Sequence, residues 1–242
     1  PQAAPEGYLI RTNFALSGKR AEGAGYIRYE TLESILKESA QRGNLTPESL
    51  LFRAGRSLKH SLLGHDWAAG RLPESASRTQ YVTLRNYIIR FRSASSMVVQ
   101  GVRPGEDPRL TTLWTTPGFP LCSLTLPLWV AAGERLPDCV VSQDGRAAPL
   151  TAWSLALKNR CFPLPGLDGQ DYLDLAVVMN RQGDGILQTI QRQDRTMMIE
   201  SQERLDQWRE TGFQVEEALD YYHSLDHIIE EFYRTQFRLG EE

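Results

Sequence analysis

Residues 97–102 and 110–115, separated by Arg103-Pro104-Gly105-Glu106-Asp107-Pro108, constrain this chain more than any other feature. Two β-prone runs flank a segment that cannot extend either of them. Its prolines offer no backbone N–H, and its glycine permits reversal. The two runs are therefore expected to lie antiparallel. Further β-prone runs at 87–91 and 126–131 widen this into a block of strands. Before the block, apolar residues Leu32, Ile35 and Leu36 recur at helical spacing over 29–40. Thr46-Pro47-Glu48 then supplies an N-cap followed by proline at the first helical position. The helix it starts is expected to run to about Lys59, with Leu50, Leu51, Ala54 and Leu58 on one face. After the block, 150–157 and 172–180 read as helical, and about 194–239 reads as a long helical region. In that region Val215, Leu219, Tyr222, Leu225, Ile229 and Phe232 form a seam suited to packing on a core. Helices, then antiparallel strands, then helices again imply an α+β layered domain.

Composition excludes several classes. The chain has 242 residues, 41% of them hydrophobic, enough for a substantial core. With 27 basic and 30 acidic side chains, its net charge is −3. Such a balance provides no broad basic field for nucleic acid. No apolar run approaches the roughly 20 residues that span a bilayer, so no membrane partner is expected. Cys122, Cys139 and Cys161 form no Cys-x-x-Cys pair, which argues against a thiolate zinc site, and no cofactor signature is present. The opening Pro-Gln-Ala-Ala-Pro-Glu-Gly reads as a linker entered midway, which implies further chain upstream.

Several residues could carry chemistry. Asn13 closes the β-prone run 8–14, just before a glycine-rich loop. An amide NH₂ in that position can act as an oxyanion donor, or it can simply cap the turn. His223 and His227 stand one helical turn apart and could share a metal ion. They flank a packing seam, and no third ligand is evident, so no metal is assigned. Pro1 is followed by a linker and not a strand, which argues against a proline imine base. Gly183-Asp184-Gly185 is a tight turn without a phosphate-loop lysine, and Asp168, Asp171 and Asp174 read as a solvated turn and helix start.

Tyr8-Leu9-Ile10-Arg11-Thr12-Asn13-Phe14 resembles the strand-borne Thr-Asn motif of choloylglycine hydrolases, penicillin V acylases and acyl-CoA:6-aminopenicillanate acyltransferase-like proteins. Ser95-Ser96-Met97-Val98-Val99-Gln100-Gly101-Val102 with Thr111-Thr112-Leu113-Trp114-Thr115 is similar to the paired core strands of the exported acyltransferase-like branch. Gly118-Phe119-Pro120-Leu121-Cys122-Ser123 and Leu126-Pro127-Leu128-Trp129-Val130 continue the likeness, which covers roughly 7–190. The resemblance implies the C-terminal part of a four-layer αββα N-terminal-nucleophile hydrolase, an exported location and a small-molecule linear amide as substrate. In that family a processed N-terminal cysteine attacks the amide, with its own α-amine as base. The oxyanion role would fall on Asn13. A site arginine would be Arg78, in Ser75-Ala76-Ser77-Arg78, or Arg90, directly before the strand block.

One departure shapes the expectation. The chain begins with Pro1, and none of its cysteines can supply both a thiol and a free α-amine. The nucleophile must come from an N-terminal catalytic segment or subunit, so residues 1–193 are expected to form the C-terminal part of the hydrolase domain. Residues 194–242 then form a helical extension packed on it. The alternative function is a non-catalytic binding or interaction domain of the same fold, and association into a homo-oligomer stays open. A metalloenzyme built on the histidine pair is the third reading.

Overall fold

A computed structural model describes residues 25–164 and 172–240. The expected strand at 8–14, its pairing with 97–102, and Asn13 lie outside these residues. The described elements are mixed α+β with small antiparallel sheets. Helix α1 spans Tyr26–Gln41, and α2 spans Pro47–Ser49 and runs on into a π-helical turn, Leu50–Gly55. As its sequence requires, the Thr46 side chain accepts from the Ser49 amide at 3.1 Å and Pro47 opens the helix. The helix stops at Gly55 and does not reach Lys59. Lys59–His60 (β1) instead pairs with His65–Asp66 (β2) in a short hairpin.

The central sheet is β4 (Ser95–Gln100), β5 (Thr112–Pro117) and β6 (Leu126–Trp129), in that order and antiparallel throughout. The expected reversal at 103–108 is present, with Glu106 N donating to Arg103 O at 3.0 Å. The expected strand at 87–91 is absent. Those residues form turns, and the strand lies earlier, at Tyr81–Thr83 (β3). Tyr87 and Ile89 are buried alternately, which imitates strand periodicity, but residues 84–94 form turns and bends with no strand. Strand β3 pairs instead with Tyr172–Asp174 (β7), which leads directly into the short helix α4 (Leu175–Val178). The helix expected over 172–180 is therefore a strand and a single turn. Pro149–Cys161 (α3) is helical as expected.

The long C-terminal region is two helices, α5 (Ile186–Thr211) and α6 (Val215–Phe237). Gly212, at φ 85°, ends α5 in a conformation that a Cβ would strain. The two helices pack as a hairpin. Trp208 Nε1 donates to Glu217 at 2.7 Å, and Ser201 Oγ meets the Tyr221 hydroxyl at 2.9 Å.

The two edges of the central sheet are treated differently. Beside β6, hydroxyls of α6 satisfy the backbone. Tyr222 accepts from Trp129 N at 2.7 Å; Tyr233 accepts from Leu124 N at 3.2 Å and donates to Cys122 O at 2.8 Å. The Trp129 ring stacks on Tyr222 with centroids 5.5 Å apart and meets Trp208 edge-on at 5.0 Å. Through the register, Trp129, Trp114 and Val98 share this helix-covered face. The opposite face carries Met97 and Val99, 61% and 67% exposed, with Leu113 and Leu128 half-buried and Thr115 and Leu126 buried beside them. β4 is also an outer strand of its sheet.

One buried ion pair locks the helices to the sheet. Arg56, just past the π-helical turn, donates to Asp194 of α5 at 2.5 Å, with both side chains essentially inaccessible. Arg56 also donates to Ser123 O at 2.7 Å and Thr125 Oγ1 at 3.2 Å, while Asp194 accepts from Thr125 N at 2.7 Å. Burial pushes the Asp194 carboxyl above its ordinary range, and the Arg56 charge and Thr125 amide pull against that. Removing one partner strands the other charge without water. Arg56→Met is therefore expected to destabilise the fold by about 3–5 kcal/mol, whereas Arg56→Met with Asp194→Leu recovers most of that loss. Equilibrium urea unfolding of the two variants measures the difference.

Candidate functional site

Arg78 stands on a cleft of about 740 Å³ beside the β3–β7 pair. The cleft is built on a fixed frame. Asp174 Oδ1 accepts from Gln80 N and Ala176 N, each at 3.1 Å, and Leu175 N donates to Gln80 O at 2.8 Å. Asp174 is thus a buried brace and helix cap, not the solvated residue its sequence context suggests; Asp168 and Asp171 lie outside the described residues. At the other end Arg181 N donates to Pro73 O at 2.8 Å, and the Arg181 guanidinium pairs with Glu74 at 2.9 Å. Arg181 is itself positioned by the turn that follows α4. Asn180 binds Asp184 at 2.7 Å and Ala176 O at 3.0 Å. Gly185 is required in this turn, since a Cβ there would come within 2.4 Å of Val178 O.

Arg71, Arg78 and Arg181 face this cleft together with His65, Trp67 and Gln80. The β1–β2 hairpin brings in His65, whose ring meets Trp67 edge-on at 3.9 Å. Its Nε2 is enclosed and has no protein partner. The Trp67 indole N–H is likewise enclosed; it lies near the Tyr87 hydroxyl without completing a hydrogen bond. Arg78 itself is exposed, its loop closed by Arg78 N donating to Ser75 O at 3.0 Å.

Arg90 does not line this cleft. It is half-buried after β3, its backbone N–H donates to Ser93 Oγ at 3.1 Å, and its enclosed Nε has no partner. Burial, reinforced by the Arg90 charge, lowers the pKa of Arg28 on α1. The two candidate arginines therefore occupy different surroundings.

The cysteines offer no activated nucleophile. All three are free and buried, with Cys122 Sγ 3.5 Å from Cys161 Sγ. Burial pushes the Cys122 and Cys139 thiols well up, which keeps them protonated and unreactive. His223 and His227 are exposed, and the intervening Asp226 is occupied in capping the 138–140 turn, accepting from Asp138 N and Cys139 N at 2.9 Å each. Among the described residues no group of His, Cys, Asp and Glu is placed to hold a metal ion. No described helix is long and apolar enough to cross a membrane.

Sequence reasoning missed the gathering of Arg71 and Arg181 around Arg78. Arg181 is distant in sequence, and only the β3–β7 pairing unites the segments. Arg56–Asp194 was missed as well, although an aspartate among the apolar positions Ile190, Met197 and Met198 of α5 was a usable signal.

No family model matches the chain, and no curated protein or solved structure matches it.

The hairpin that carries His65 also carries a pH-sensitive residue. His60 is buried, and its Nδ1 accepts from Leu63 N at 3.3 Å, which requires an unprotonated Nδ1. Burial lowers its pKa below the ordinary 6.5. The unfolded chain therefore takes up the proton more readily than the folded one. The stability His60 confers is complete above about pH 6.5 and is lost as pH falls through the folded pKa. Thermal unfolding across about pH 7 to pH 5 should show this loss, and His60→Asn, which keeps an acceptor near the Nδ1 position, should flatten it.

Proposed function

We propose that this chain is the C-terminal part of an N-terminal-nucleophile hydrolase or acyltransferase of linear amides, completed by a segment or subunit that carries the cysteine nucleophile. The observation that supports this reading best is the exposed apolar strip that β4 carries on one face of the central sheet. Helices α5 and α6 cover the Trp114–Trp129 face, while Met97 and Val99 project from the other. An apolar sheet face is stable against a second layer, and a four-layer αββα sandwich provides one in the form of a second sheet. The antiparallel β4–β5–β6 order agrees with the core strands that the resemblance implies.

On this reading the cysteine thiol attacks the substrate carbonyl carbon and its α-amine takes up the proton. The C–N bond then breaks as the amine leaves with that proton, and water or a second amine releases the acyl group from the thioester. Asn13 donates its amide N–H to the oxyanion formed in the first step. Of the two arginines, Arg78 stands on an open cleft and is taken as the site arginine. The same exposed strip also favours the interaction-domain reading, in which it receives a partner without chemistry.

The experiment joins the chain to its upstream region and measures turnover of linear amides. Asn13→Ala is expected to lower kcat by about 10²–10³ without loss of folding, and Asn13→Asp at least as much, because a carboxylate repels the oxyanion. Arg78→Gln should cost more in kcat/KM than Arg90→Gln. Full kcat in a folded Asn13→Ala variant removes the oxyanion role. Absence of turnover from the completed protein on every amide tried favours the interaction domain.

A further inference from the structure

The geometry points to the Arg71–Arg78–Arg181 cleft as a binding site for a small organic oxyanion, a carboxylate or phosphate attached to an apolar body. The chain carries a net charge of −3, yet this cleft gathers three guanidinium groups against one carboxylate, Glu74. That carboxylate is already engaged by Arg181 at 2.9 Å. Arg71 and Arg78 form no ion pair among the described residues and remain available as planar donor forks, the geometry that suits a carboxylate or phosphate. A local excess of positive charge on an acidic chain also concentrates anions at the cleft.

Two further features specify the ligand. Trp67, Leu72 and Pro73 give the cleft an apolar wall, which a bare inorganic ion would not use. His65 also lines the cleft, its ring packed edge-on against Trp67 of that wall at 3.9 Å. The site is also pre-organised. The backbone bearing Arg71 and Arg78 is tied by Arg181 N to Pro73 O and by Gln80 to Asp174 and Leu175, so binding has only the exposed arginine side chains to order. This inference rests on the amide reading only for its meaning, since the anion would then be the charged end of the substrate. Binding itself is measurable without turnover.

Isothermal titration calorimetry of the full chain with phenylacetate, phenyl phosphate, inorganic phosphate and the neutral phenylacetamide tests it. Saturable single-site binding of either organic anion supports the site, the tighter of the two naming the oxyanion. Arg71→Gln and Arg78→Gln should each weaken that binding about tenfold, while Arg146→Gln, an exposed arginine outside the cleft, leaves it unchanged. Melting temperatures of the variants check that each is folded. Equal affinity for phenylacetamide, no effect of either cleft variant, or no binding of either organic anion overturns the site. Inorganic phosphate binding as tightly as phenyl phosphate overturns the role of the apolar wall. Anion binding without amide turnover rejects the hydrolase and keeps the site, whereas turnover without anion binding does the reverse.

Discussion

The rest of this structure depends on the buried pair of Arg56 and Asp194. Two charges removed from water are costly, and they are tolerated here because their hydrogen bonds reach into three separate parts of the fold. Arg56 follows the π-helical turn after α2, Asp194 lies on α5, and Ser123 and Thr125 lead into β6. Sliding α5 by one residue would rotate Asp194 away from Arg56 and leave both charges uncompensated. The pair thereby fixes a register that apolar contacts alone, which are non-directional, would leave loose. Thr116, whose hydroxyl meets that of Thr125 at 2.7 Å, carries the same network into β5.

From that fixed point the sheet becomes asymmetric. On the β6 side, Tyr222 and Tyr233 of α6 satisfy backbone groups that would otherwise be stranded, and the Trp129–Trp208–Tyr222 cluster seals the layer. On the β4 side Met97 and Val99 stand exposed on the opposite face. On that face Thr115 and Leu126 are buried toward β6, so the exposed apolar surface is confined to the β4 side. On the proposed reading the catalytic partner docks against this strip.

Much of the secondary structure was legible locally. The Thr46-Pro47 start, the reversal at 103–108 and the helix at Pro149–Cys161 each follow from side-chain chemistry within a few residues. Errors arose where partners are far apart in sequence. Tyr87 and Ile89 alternate in burial as a strand would, yet they anchor a loop. Tyr172–Asp174 has only three residues and becomes a strand because Tyr81–Thr83 is beside it. In the C-terminal region the continuous apolar seam masked the break that Gly212 makes between α5 and α6.

The candidate site divides along the same line. Sequence by itself determined that the three cysteines lack the features of an N-terminal nucleophile and that an antiparallel hairpin lies at the centre of the chain. These properties depend on residue type and on neighbours along the backbone. Only the tertiary structure decided that Arg71, Arg78 and Arg181 share one cleft, that Arg90 faces elsewhere, and that Asp194 is buried against Arg56. Those outcomes depend on contacts between distant segments, where the energy of a charge is set by what surrounds it and not by its position in the chain.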